Sequence, residues 1–477
     1  MANLTFKRAF AFAASLLTAQ TAYALPLIDI ERTLDIPSRT ADAVEQKVLN
    51  DIEKRIEDNI QDSVQTLTTN QPPLAIDTQT KALSNADVSI AVNSPIAALP
   101  ARIAINNRAG TRHFFDISLK NTQRIIEHEW VIIHDSPSTL SASSIIANGQ
   151  IKIIENTSLP ALGTQYTRVR VAAPHDTANA VRRLLQLAEN TIVQRNFIFS
   201  RSAQTAGAAT NTPSANNTLK TCKNPLAVGL LDSAINTAHP AFKSTHIVQK
   251  SFVEQGLIEP QQHGTAVASI LVSQHKQNQQ ARPLYSASVF YQQTTNQDKA
   301  TLEHQGATTT SLAQGINWLL QQPIHILNIS LTGPANPLLA FALNKVTANN
   351  ILVVAAVGNN GPTSPPLYPA AYSNVIAVTA TDQRHKIYRW AVQGDHIDIA
   401  ALGVNVSVAN SQGGYRYDSG TSFAAPVVTD FLSCLLSEKN TTTNTQALFE
   451  KFSLDLGLAG KDRIFGWGAL RYNPASH

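Results

Sequence analysis

The chain has 477 residues, of which 43% are hydrophobic and 15% are charged, and its formal net charge is +4. A charge this small for the length excludes the dense basic surface of a nucleic-acid-binding protein. The composition is that of a soluble globular protein, and the length allows two or three domains with a sizeable core.

The N-terminus predicts a secretory signal over residues 1–24. Lys7-Arg8 precede an apolar run from Ala9 to Leu17, and Ala22-Tyr23-Ala24 has the small-x-small form of a signal-peptidase site. No later stretch reaches the roughly 18 apolar residues that a membrane span needs. We therefore expect an exported protein, periplasmic or extracellular, with no membrane span after the signal is removed.

Residues 25–99 predict a helical segment followed by a linker. From Ala41 to Leu67, apolar residues recur every three to four positions with charges between them, which indicates an amphipathic helix. This helix either lies on its own protein or binds a partner. From Thr68 to Leu99, prolines, threonines, asparagines and serines interrupt the periodicity and indicate a linker.

Residues 100–200 predict a small α+β domain. A helix with one apolar face begins after Pro174, and Asp176 is its expected cap. The predicted strands are Glu129 to His134, Thr167 to Ala172 and Ile192 to Phe199. Residues 201–220, rich in Ser, Ala, Thr and Asn, predict a flexible connector that is open to cleavage.

Residues 221–477 predict an α/β domain with a parallel sheet between two layers of helices. Helical patterns around His263, at Ser311 to Leu320 and at Leu338 to Val346 alternate with short apolar runs. The runs predict strands at Leu226 to Leu231, Tyr285 to Phe290, Ile324 to Leu331, Ile351 to Val357, Val375 to Ala380 and Ile397 to Ala401. Sites in such folds lie at the C-terminal ends of the strands.

Four residues in this domain stand where chemistry is expected. Asp232 and Asn359 each follow a predicted strand, and His263 lies in the first turn of a predicted helix. Ser422 follows Gly420 at the start of another apolar helix, whose first amides have no intrahelical partner and favour negative charge. Any one of these motifs alone is also typical of an ordinary helix cap or strand end.

Together and in this order, the four motifs resemble those of the subtilisin-like serine proteases, the subtilase family. The order Asp, His, Ser is the known order of the subtilisin triad, so spacing alone does not establish it. The resemblance implies that Asp232 orients the imidazole, that His263 is the general base and that Ser422 is the nucleophile. It assigns Asn359 to the oxyanion.

The resemblance extends to the substrate site and to the N-terminal region. Ile324 to Leu331 is similar to the family strand that lines the primary specificity pocket, and the expected substrate-binding residues are Ser330, Leu331, Ala355, Ala356 and Gly358. Residues 100–200 resemble a subtilase propeptide, although Arg195 stands where a proline is common. The expected partners are therefore polypeptide substrates and the protein's own propeptide, and we expect a monomer.

Three positions depart from the family pattern. Ala234 stands where glycine usually follows the aspartate motif, Phe423 where methionine usually follows the serine, and Leu402 where proline is common. None of these side chains is a reacting group. The first two are expected to alter the rate of turnover through small shifts in fit.

The implied chemistry needs no cofactor. A structural calcium ion is common in the family, but no acidic loop here is specific enough to hold one. Asp395, His396 and Asp398 fit a solvated strand end better than a metal site. Cys222 and Cys434 either form a disulfide or remain buried thiols, because the sequence does not give their separation.

Two functions remain open from the sequence. The first is an exported serine endopeptidase that forms an acyl-enzyme and is made as a self-processing zymogen. The alternative is a catalytically silent binding or scaffolding protein with the same fold. The presence of all four reacting groups favours the first.

Overall fold

The computed structural model describes residues 99–119, 123–134, 149–201, 225–272, 283–293, 304–437 and 444–471. These residues belong to one compact unit that runs from Ser89 to His477. The predicted signal, the amphipathic helix and the linker up to residue 98 lie outside the described residues. Cys222 and residues 202–220 of the predicted connector do so as well, so the pairing of Cys222 stays open.

The N-terminal part, residues 99–201, contains six strands and one α-helix. Three of these strands were not predicted, because β1 is short and the solvent-facing polar residues of β2 and β4 interrupt the apolar signal. The elements are β1 (Arg102–Asn106), β2 (Arg112–Ser118), β3 (Arg124–His134), β4 (Ile151–Leu159), β5 (Thr164–Val171), α1 (Ala178–Leu185) and β6 (Ile192–Arg201).

The cap of α1 differs from the prediction. The Thr177 hydroxyl, rather than Asp176, accepts the hydrogen bond from the Ala180 amide, at 3.1 Å. The Asp176 carboxylate instead accepts from Trp130 Nε1 at 2.9 Å and from the Arg195 guanidinium. Arg195 also stacks on the Trp130 ring, with its Cζ 4.0 Å from the ring centroid. Arg195 therefore ties β6 to the start of α1.

The C-terminal part contains the predicted strands and helices, with bounds that differ by a few residues. Several short strands and a last helix were not predicted. The elements are β7 (Val228–Asp232), β8 (Ile247–Ser251), α2 (Gln262–Val272), β9 (Leu284–Ser288), β10 (Phe290–Gln292), β11 (Gln305–Thr308), α3 (Thr309–Leu319), β12 (Ile326–Ile329), β13 (Leu331–Thr332), α4 (Pro337–Ala348), β14 (Leu352–Ala356), β15 (Ile376–Thr381), β16 (Ile399–Leu402), β17 (Val406–Ala409), β18 (Tyr415–Asp418), α5 (Thr421–Leu435), α6 (Thr445–Phe452), β19 (Ser453–Leu454) and β20 (Ala469–Leu470).

The central sheet of this part has the order β19-β20-β16-β15-β14-β12-β7-β9-β8, and all its pairs are parallel except β19 with β20. Alternate residues of β14 face opposite cores: Val353 and Ala355 pack with α3 and α4, whereas Val354 and Ala356 pack with α2 and α5. The predicted parallel sheet between two helical layers is confirmed. Burial on both faces explains its continuous apolar strands.

A second, antiparallel sheet joins the two parts of the chain. Its order is β1-β2-β3-β6-β11-β10; β13 also pairs with β6, and β5 links β4 to β3. The last strand of the N-terminal part therefore lies between its own β3 and strands of the C-terminal part. A strand in this position has both edges hydrogen-bonded, so the two parts share one sheet rather than a side-chain contact alone.

Buried polar groups also cross this junction. Asp116, fully buried in β2, accepts hydrogen bonds from Arg124 at 2.6 Å and from Gln293 of the C-terminal part. Burial raises the pKa of the Asp116 carboxyl, although Arg124 acts in the opposite direction. Nearby, Arg168 and His113 both contact the Glu254 carboxylate. Separating the two parts would leave these buried groups without partners.

Candidate active site

Asp232 and His263 form a buried pair at the C-terminal edge of the parallel sheet. Asp232 is the last residue of β7, and His263 lies in the first turn of α2. His263 Nδ1 is 2.7 Å from Asp232 Oδ1, which also accepts from the Ser233 amide at 2.6 Å. His263 Nε2 is buried and has no hydrogen-bond partner among the described residues. The imidazole is thus held at one nitrogen and open at the other.

A close backbone approach brings these two residues together. Gly264 follows His263, and its amide donates to Ser233 Oγ at 2.8 Å. A Cβ on Gly264 would lie 2.1 Å from the Ser233 carbonyl oxygen, which leaves no room for any other residue. This glycine allows the first turn of α2 to pack directly on the chain that follows Asp232.

Ser422 is the second residue of α5 and is fully buried. The Phe423 ring next to it packs against His263, with the ring centroids 5.8 Å apart. Ser422 Oγ donates to the Ser330 carbonyl at 3.3 Å rather than to His263 Nε2. Rotation about a single side-chain bond redirects a serine hydroxyl, and catalytic hydrogen bonds are often not formed in the absence of substrate.

Asn359 follows β14 and faces the start of α5. Its Oδ1 accepts from the Thr421 amide at 3.1 Å and from the Thr421 hydroxyl at 3.0 Å. Thr421 Oγ1 in turn accepts from the Gly358 amide at 3.1 Å. These bonds fix the orientation of the side-chain amide, so that Asn359 Nδ2, which has no partner among the described residues, is its free donor.

The expected substrate-binding residues lie on two adjacent strands. β12 ends at Ile329, Ser330 interrupts the strand and Leu331 begins β13, so the predicted single strand is two strands in different sheets. Ile329 pairs with Ala355, which sets Ala356 and then Gly358 beside this interruption. The Ser330 hydroxyl donates to the Ser422 carbonyl at 3.1 Å. The structure therefore brings this set to the start of α5.

Sequence reasoning missed the residues that support this arrangement. Thr421 orients Asn359, and Asn328 donates to Ser330 Oγ at 3.0 Å while accepting from Thr429 at 2.9 Å. Asn328 and Thr429 are polar residues inside otherwise apolar runs. Because a buried polar group requires a partner, such interruptions are the sequence signal that could have found them.

The positions that depart from the family pattern are accommodated in the core. Ala234 and Phe423 are 5% and 1% exposed, and Leu402 packs against the core between α2 and α5. His239, near the pair, is engaged elsewhere: its Nε2 is 2.9 Å from the Gly414 carbonyl, and its Nδ1 accepts from the Ala241 amide. Within the described residues, no group of three His, Cys, Asp or Glu side chains could hold a metal ion.

The end of β6 occupies the groove that leads to Ser422. Phe199 pairs with Ala307 of β11, and on the other side Arg201 pairs with Leu331 of β13. The Phe199 ring is fully buried against Gly333, where a Cβ would lie 2.2 Å from it. An extended chain that continues in this register meets Ser330 and then the start of α5.

The fold and this site together define an α/β protein with its candidate reacting groups at strand ends and at a helix N-terminus. The family model for the subtilase family (Peptidase_S8) matches residues 223–468. The chain therefore belongs to the subtilase family of serine-type peptidases.

Curated relatives and solved structures agree with this assignment. The minor extracellular protease Epr of Bacillus subtilis is 34% identical over 213 residues, which are 44% of this chain and 32% of Epr. A thermostable alkaline protease of Halalkalibacterium halodurans is 26% identical over 73% of this chain and 92% of that protein. Fervidolysin from Fervidobacterium pennivorans shares the fold, with a TM-score of 0.57 at 16% identity over 78% of this chain and 62% of fervidolysin. Epr and subtilisin BL are matched over less than two thirds of their own length.

Proposed function

We propose that the protein is a serine endopeptidase that hydrolyses peptide bonds through Asp232, His263 and Ser422. The observation that carries this proposal is the buried Asp232–His263 pair, with its open imidazole nitrogen beside the first turn of the helix that carries Ser422. A serine hydroxyl is a weak nucleophile unless a base removes its proton, and this arrangement supplies that base.

The mechanism follows from the position of each group. His263 Nε2 takes the proton of Ser422 Oγ as the oxygen attacks a peptide carbonyl, and the C–N bond then breaks as His263 returns the proton to the leaving amine. Water attacks the acyl-enzyme by the same path in reverse. The Asp232 carboxylate keeps the proton on Nδ1 in the resting state and stabilises the imidazolium that forms.

Asn359 is proposed to donate from Nδ2 to the oxyanion, together with the Ser422 amide. Replacing it with leucine, which has a similar shape but no donor, should lower kcat by on the order of 100 to 1000-fold, a magnitude known from subtilisin itself. Steady-state kinetics on a peptide anilide would measure this loss. The same substitution at Asn344, on the exposed face of α4, should leave kcat unchanged. Equal activity of both variants would remove Asn359 from the oxyanion site.

The N-terminal part is proposed to act as a propeptide, which makes the protein a self-processing zymogen. The antiparallel pairing of residues 198–201 with β11 and β13 supports this, because a substrate strand would take the same place. Cleavage is proposed between Arg201 and Lys220. The shared sheet would also template strands whose contacts are far apart in sequence and slow to form.

Export is proposed from the signal sequence over residues 1–24, to the periplasm or to the medium. The name of Epr describes an extracellular protease, which is consistent with this destination. In the part of the chain that the structure describes, no helix is long and apolar enough to cross a membrane.

A covalent probe combined with intact masses would test the proposal. We expect a fluorophosphonate to label Ser422, and we expect the chain to be cut between residues 201 and 220 over time. Ser422→Ala should neither label nor cut itself. A wild-type chain that is not labelled, before or after trimming to residues 221–477, would instead favour a catalytically silent scaffold. Cutting of pure Ser422→Ala would contradict self-processing.

A further inference from the structure

The register of β6 identifies where the side chain before the cleaved bond would bind. Arg201 pairs with Leu331, so the next residue of a strand in this register comes opposite Ser330. The Ser330 carbonyl accepts a hydrogen bond from Ser422 Oγ at 3.3 Å, so that residue lies next to the proposed nucleophile. The pocket for its side chain is therefore bounded by β13 and by the neighbouring turn from Ala356 to Gly358.

Gly358 would leave space in this pocket, but other side chains fill it. Its φ is +101°, a conformation that favours glycine, and its amide is held by Thr421 Oγ1. A Cβ placed on Gly358 would lie 2.7 Å from Leu367 Cδ1 and 3.1 Å from Thr332 Cγ2. The space that faces Gly358 is thus taken by one branched apolar side chain and by the methyl group of a threonine.

Leu367 also lines a larger cavity beside the end of β6. This cavity has a volume of about 640 Å³, and its lining includes Ser200, Arg201, Thr332 and Asn360. Leu367 packs against the core on the α3–α4 face, which holds its side chain in place. Shortening this side chain would open the space at Gly358 towards the cavity.

We infer that Leu367, with Thr332, closes the pocket for the residue before the cleaved bond, so that the enzyme cleaves after small side chains such as Gly, Ala and Ser. This inference rests on the proposed function. The chain's own sequence agrees with it, because the residue after Arg201 is Ser202 and Ala203 follows. A large side chain would overlap Leu367, and overlap in a packed pocket cannot be relieved without moving the core.

Peptide anilides that differ only at the residue before the anilide test this inference on the full chain. With Ala, Leu and Phe at that position, we expect wild-type kcat/KM to be at least about tenfold higher for Ala than for Phe. Leu367→Ala should raise kcat/KM for the Phe substrate by about tenfold or more and change the Ala value less than about threefold. Leu458→Ala, at an exposed leucine outside the cleft, should keep the wild-type ratio.

The outcomes separate this inference from the proposed function. Fluorophosphonate labelling of Ser422 together with a wild-type preference for Phe or Leu would overturn the pocket assignment and leave the peptidase intact. A Leu367→Ala variant that labels normally but keeps the wild-type preference would also overturn it. A protein that neither labels nor hydrolyses any of the anilides overturns both. The wild-type profile decides the matter even if Leu367→Ala does not fold.

Discussion

Replacing Ser422 with alanine is expected to lower kcat by on the order of a million-fold, the magnitude known from subtilisin for loss of the serine. The substitution removes only one oxygen from a fully buried position and leaves α5 intact. His263→Ala should cost about as much, because the base and the nucleophile act in the same step. Single-turnover kinetics on a peptide anilide, with active sites counted by fluorophosphonate in the wild type, would measure the loss.

The combination of the two substitutions gives a sharper test than either alone. If Ser422 and His263 act as one unit, the double variant should be no slower than either single variant. Additive losses would mean that the two residues act independently and would contradict the proposed mechanism. Ser251→Ala, on the exposed edge strand β8, provides a serine-to-alanine control that should keep full activity.

Asp232→Asn is expected to lower kcat by about ten-thousand-fold at neutral pH, as for the equivalent change in other serine proteases. Asparagine keeps the shape of the side chain but loses the charge that stabilises the imidazolium in this buried site. Its amide group also introduces a donor beside His263 Nδ1, and a donor there favours the wrong tautomer. Steady-state kinetics and fluorophosphonate labelling rates should fall together.

A matched control for this substitution lies on the surface. Asp395→Asn alters a carboxylate that is 86% exposed and pairs with Arg463. It should leave kcat unchanged, because a solvated ion pair contributes little and lies outside the site. If Asp232→Asn were as active as Asp395→Asn, the buried pair would be structural and His263 would need another orienting group.

Much of the site could be predicted because each reacting group stands next to a local signal. Asp232 and Asn359 follow apolar runs, and His263 and Ser422 each begin an apolar helix; such runs identify buried strands and helices. Parallel strands end at one edge of a sheet, so the sequence also predicted that edge as the location of the site. The resemblance to one family then supplied the roles.

Predictions were wrong or incomplete where a local signal had two interpretations. Asp176 and Thr177 are both good caps, and the choice fell to Thr177 because Trp130 and Arg195, distant in sequence, bind the aspartate. The run from Ile324 to Leu331 reads as one strand, whereas tertiary pairing divides it at Ser330 between two sheets. Solvent-facing polar residues concealed β2 and β4.

The sequence by itself determined the family, the parallel sheet with its helices and the positions of the four reacting groups along the chain. Only the tertiary structure decided that β6 pairs with β11 and β13, that Thr421 turns Asn359, and that Leu367 fills the space at Gly358. The physical reason is range. Periodicity and caps arise from neighbours within a few residues, whereas strand register and pocket shape arise from packing between segments far apart in the sequence.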